Sequence, residues 1–224
     1  MASEIVELVA ANVTFVGTHF VMSHPLRAPL VKALGTGGFM LAYTVVSFAT
    51  LGWVYLAYIA APSGGLPGSG EIGWIAATLL TIPAIVLLSG SLVGNPAMPV
   101  PGAEAAARAA PRGVFNVTRH PMMWGIGLWA LSHIVLHYSL RASITAFAMG
   151  ILALVGAKLQ DAKKERLMGD AWREWERQTT YWPRLAGFKK IGAFPWVLGL
   201  LLFLFLTWLH LPIGGVPAGI WRWF

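Results

Sequence analysis

One short basic motif and six histidines are where this sequence could do chemistry. Arg119-His120-Pro121-Met122-Met123-Trp124-Gly125 opens an apolar stretch that continues through Trp129 to His133. Proline suits the first position of a helix, where its missing N–H would have no intrahelical partner anyway. Arg119 would mark a membrane interface. That account covers Pro121 and Arg119 but leaves His120 over. The functional reading is an anion or cofactor group held at the helix N-terminus, with Arg119 adding charge. Ser23-His24-Pro25-Leu26-Arg27 repeats the arrangement, so two such sites can converge on one pocket. Asp161 stands where it can pair with Lys158 or Arg119.

The remaining histidines are His19, His133, His137 and His210. His19 and His133 are expected within the hydrocarbon, where an ionisable side chain defaults to a functional hypothesis. The plainer alternative is a neutral ring hydrogen-bonded to a neighbouring helix. His133 and His137 are four residues apart, the spacing of a two-histidine metal site on one helix face. No His-Glu-x-x-His accompanies them, so zinc or di-iron hydrolysis is not expected. Haem is compatible with the pattern, because one axial histidine from each of two helices suffices and an apolar bundle suits the macrocycle. With no cysteine in the chain, thiolate nucleophiles, disulfides and Cys-based metal sites are excluded. No glycine-rich phosphate loop, nucleophile elbow or carboxylate pair is present.

The elements that must position these residues are membrane helices. The chain is 57% hydrophobic and 11% charged, against about 25% charged in soluble domains. Spans are expected at residues 5–23, 39–60, 73–94, 122–138, 142–158 and 193–211, each near the roughly 20 apolar residues that cross a bilayer. The fold class is therefore all-α: one polytopic domain over residues 1–224, with six membrane helices. The loops 24–38, 95–121 and 158–192 alternate along the chain and hold 14 of the 16 Lys and Arg residues. The positive-inside rule places them in the cytoplasm and both termini outside. The net charge of +7 is then topological and faces anionic headgroups rather than nucleic acid. Between Lys158 and Arg177 the residues Ala171, Trp172 and Trp175 fall at helical spacing, which predicts an amphipathic interfacial helix. The closing Trp221-Arg222-Trp223-Phe224 reads as an interfacial anchor on the outer side.

With these residues laid out, the chain resembles the NnrU family of bacterial membrane proteins. The resemblance rests on Ser23–Arg27, on Thr118–Gly125 continuing through Trp129 to His133, and on Asp161 with Gly169-Asp170-Ala171-Trp172. It implies a bacterial inner membrane and an association with nitrite and nitric oxide reduction. The pattern extends to the plant 15-cis-zeta-carotene isomerases, haem b enzymes of plastid membranes. That similarity implies haem ligands at His24 and His133, and an apolar small molecule as substrate; by its depth along the first span, His19 is the alternative partner for His133. A cysteine of those isomerases aligns with Ala130, so a ligand switch to thiolate has no counterpart here. A weaker resemblance is to the isoprenylcysteine carboxyl methyltransferases, through Arg119-His120-Pro121 and Glu165, Leu167, Gly169, Trp172, Trp175 and Pro183. It implies S-adenosylmethionine held at the cytoplasmic face by Arg119, His120 and Asp161. A third expectation is a non-enzymatic assembly or regulatory factor with a respiratory complex as its partner.

Overall fold

The computed structural model describes residues 2–224. Eight α-helices follow one another: α1 (Ala2–Ser23), α2 (Arg27–Ala60), α3 (Gly70–Gly90), α4 (Ala103–Arg108), α5 (Pro121–Leu136), α6 (Leu140–Met168), α7 (Asp170–Gln178) and α8 (Ala193–Gly214). Short 3-10 turns lie at Gly113–Asn116, Leu185–Lys190 and Gly219–Arg222. No strand occurs among the described residues, and one isolated bridge joins Gly65 to Ser139. The protein is an all-α membrane bundle.

Helices α1, α2, α3, α6 and α8 are long and apolar enough to cross a membrane. The sixth expected span is α5, whose 16 residues rise only about 24 Å, less than the roughly 30 Å hydrocarbon core. Its N-terminus is preceded by a segment in which Val114, Phe115, Val117 and Thr118 are buried, so protein rather than lipid completes that end. Two other boundaries differ from the sequence reading. α2 begins at Arg27 rather than residue 39, and Gly35, at φ 69° and ψ 171°, breaks it into a short first piece and a long second one. Only glycine takes that backbone region without strain. α6 continues past residue 158 to Met168, and Gly169 (φ 56°) turns the chain into α7. The expected amphipathic helix over 158–177 is therefore two helices meeting at a corner.

Side by side, the helices run α2, α1, α6, α5, α3, α8, each packed on the next. Small residues let neighbours approach closely, as membrane helices require when no hydrophobic gain separates protein from lipid. Gly125 is the tightest case between α5 and α3: a Cβ there would stand 2.7 Å from the Ala84 carbonyl oxygen and 3.1 Å from the Leu88 nitrogen. Because both obstacles are backbone, Gly125→Ala must push the two helices apart. We expect a loss of about 1–3 kcal/mol, read as a lower thermal unfolding midpoint in detergent.

The two ends of the bundle differ. At one end Arg141 donates to the carbonyls of Tyr58 (3.2 Å) and Ala61 (2.9 Å). There too Arg222 pairs with Glu71 at 2.6 Å, and Trp223 Nε1 donates to the same carboxylate. The closing aromatic segment is thus fastened to the start of α3. The opposite end carries the other basic residues and a core in which Val86, Val114, Phe115, Trp172 and Trp175 are buried together. The apolar face of α7 is the one its residue spacing predicts, but it faces this core, against α4 and α6, rather than lipid.

Candidate functional site

The Arg119-His120-Pro121 segment sits at the basic end, with Pro121 at the first turn of α5. Asp161, on α6, meets it there. Arg119 grips the carboxylate through Nε (2.9 Å) and Nη2 (2.6 Å), and His120 Nε2 donates to Oδ1 at 2.7 Å. Glu176 on α7 is a second carboxylate for Arg119, at 3.4 Å. All three central residues are buried. The pairing of Asp161 goes to Arg119, while Lys158 lies over the Tyr181 ring. The fork geometry suits a guanidinium and a carboxylate, and burial is tolerable because the charges are matched.

The chain after α7 straps this group down. Arg119 N–H donates to the Thr180 carbonyl and Arg184 N–H to the Val117 carbonyl, both at 2.8 Å. The Tyr181 carbonyl accepts from Thr118 Oγ1 (2.7 Å) and from Trp124 Nε1 (2.8 Å). Tyr181 itself donates its hydroxyl to the Leu154 carbonyl at 2.7 Å. Burial, and then the Asp161 carboxylate, push its phenol above the ordinary tyrosine value, so it remains a donor at neutral pH. Tyr181 and Glu176 were not singled out in the sequence; the run Thr179-Thr180-Tyr181-Trp182-Pro183 leaving a charged helix was the available signal. Arg119 Nε and Nη2 and His120 Nε2 are all spent on carboxylates inside the protein, and His120 Nδ1 is left buried without a partner. The arrangement is a latch joining α5, α6 and α7, not an open anion site.

A cavity of about 310 Å³ lies between α1, α2, α5 and α6. Its walls include Phe15, Phe20, Met123, Ile126, Met149 and Leu152, and His19, Tyr43, Ser23, His24, Gln160 and Lys163 supply the polar groups. His19 Nδ1 lies 2.7 Å from the Phe15 carbonyl. An oxygen acceptor there requires the proton on Nδ1, which leaves the Nε2 electron pair of the neutral ring free. The ring stands edge-on to Tyr43 at 5.4 Å between centroids. Tyr43 and Lys163 lie outside every quoted motif, and nothing in the sequence marks them.

His133 is elsewhere. Its Nδ1 is 2.9 Å from the Trp129 carbonyl, and its ring is 4.5 Å from Trp129 and 6.4 Å from His210 of α8. The structure therefore brings His24 together with His19 but not with His133. His137 does not share a helix face with His133 either, because α5 ends at Leu136 and His137 turns out of it at φ 46°. Among the described residues no cluster of three or more His, Asp or Glu side chains could hold a metal ion.

A family model described as NnrU protein matches residues 7–218. The chain belongs to the NnrU family. The matched residues span the latch, the cavity and both histidine groups. No curated protein and no solved structure gave a match.

Proposed function

We propose that this NnrU protein binds haem b in the cavity between α1, α2, α5 and α6, with His19 as the residue that would hold its iron. The observation that supports this is the His19 ring, held by the Phe15 carbonyl with Nε2 unengaged among apolar and aromatic walls. Ligating histidines are oriented in the same way, by a hydrogen bond from the other ring nitrogen. The residues present also fit the rest of the group. Met, Phe and Leu side chains suit a macrocycle, and Lys163 at the mouth suits its carboxylates. α2 leans on α1 and scarcely touches α6, so that wall is the one that parts to admit a ligand. When bound, haem would supply an iron centre for electron transfer or Lewis-acid chemistry on an apolar substrate, which accords with a redox-linked or isomerising role beside a respiratory complex. By charge placement the basic end faces the cytoplasm of a bacterial inner membrane and the termini face the periplasm.

The S-adenosylmethionine reading has less support, because Arg119, His120 and Asp161 satisfy one another. The test is an absorption spectrum of protein purified from haem-replete membranes. We expect a Soret band that His19→Ala abolishes or shifts and His133→Ala leaves in place. A colourless wild-type protein would remove haem. A band lost in His133→Ala but kept in His19→Ala would move the ligand to the position implied by the isomerase resemblance.

A further inference from the structure

A second hollow, of about 460 Å³, lies at the basic end against α1, the turn that follows it, and α6. Phe20, Val21, Leu159 and Ala162 form its apolar part, and His24 and Arg166 close one end. Val21 and Leu159 are exposed, which in a membrane protein means open to lipid. Arg166 lines the hollow, Lys163 stands one turn before it on α6, and Arg27 opens α2 three residues after His24; Lys163 is close enough to feel both arginines, and His24 to feel Lys163 and Arg166.

This cluster is unlike the other charges nearby. Arg108 pairs with Glu104, Arg119 with Asp161, Arg177 with Glu174, and Arg173 with both Asp170 and Glu165. Among the described residues no ion pair is made by Arg27, Lys163 or Arg166, although Glu165 is the sequence neighbour of one of them. Its carboxylate is turned to Arg173 at 3.2 Å. Three cations crowded without a counter-ion, at the end of an apolar groove between two membrane helices, describe half of a charge pair. A phosphate bearing an acyl chain is the complementary half.

We propose that the α1–α6 groove is a binding site for an anionic phospholipid. The phosphate lies between Arg27 and Arg166, and an acyl chain lies along Phe20, Val21, Leu159 and Ala162. The proposal is independent of the haem reading, since its occupant is detected by mass and not by colour.

The experiment is native mass spectrometry of the detergent-solubilised protein titrated with phosphatidylglycerol or with phosphatidylcholine. The expected result is one tightly held phosphatidylglycerol and a clear preference over phosphatidylcholine. Arg27→Gln with Arg166→Gln should reduce that preference by on the order of tenfold, from two lost headgroup contacts. Lys189→Gln with Lys190→Gln removes as much charge from the same end but should keep it. Leu159→Trp leaves every charge in place and fills the groove, and should abolish the single tight binding event. Equal binding of the two lipids would overturn the proposal. So would equal losses from the two charge variants, or undiminished binding in Leu159→Trp.

Discussion

Asp161→Ala is expected to be the most damaging single substitution at the basic end of the bundle. The carboxylate receives three hydrogen bonds, two from Arg119 and one from His120. Removing it leaves a buried guanidinium without its main counter-charge, a loss of roughly 3–5 kcal/mol. Glu176, at 3.4 Å and partly exposed, should recover some of that but lacks the second contact of the fork. The diagnostic comparison is with the double variant Arg119→Ala/Asp161→Ala. A desolvated cation left alone costs more than its complete removal, so the double variant should unfold at a higher temperature than Asp161→Ala alone. Tryptophan fluorescence during heating in detergent gives both midpoints. A double variant that melts lower than the single one would mean that Arg119 stabilises through packing rather than through Asp161.

Trp172→Ala should be almost as severe for a different reason. The indole is 0% exposed and packs with Val114, Phe115 and Trp175, where α7 meets the segment before α5. Emptying a buried tryptophan site costs about 3–5 kcal/mol. Its Nε1 has no hydrogen-bond partner, so the loss is of volume and not of a polar contact. Trp172→Phe should therefore restore most of the stability. Limited proteolysis is the sensitive measurement, because loosening α7 frees the 179–184 strap for cleavage while the membrane helices stay protected. Equal protection of wild type and Trp172→Ala would show that α7 is held mainly by its charges.

Five of the spans are legible because each is a long apolar run, and the latch because arginine, histidine, proline and a distant aspartate are conspicuous against such a background. What the sequence hid follows from physical causes. Gly35 and Gly169 each set a corner, but glycine is common throughout this chain and composition does not say which copies take a positive φ. Trp172 and Trp175 show correct helical periodicity, which cannot say whether an apolar face meets lipid or protein. His24 and His133 both stand in conspicuous motifs, yet a helix advances only about 1.5 Å per residue. His133 consequently ends beside His210 at the other end of the bundle, while His24 stays near Lys163. Tyr43 and Lys163 reach the cavity from α2 and α6, and only the packing of those helices could show it.

The side-by-side order of the helices has a mechanical consequence. α1 and α2 are joined to the remainder of the protein almost entirely through the face of α6. They form a flap on one seam, whereas α3, α5, α6 and α8 are cross-braced by the latch and by close backbone approach. Local stability is set by such differences in contact. Drawn from its N-terminus by an atomic-force tip, the chain should surrender α1 and α2 in an early step at low force. The other four helices should resist to a distinctly higher force, and the seam that yields first is the wall of the cavity.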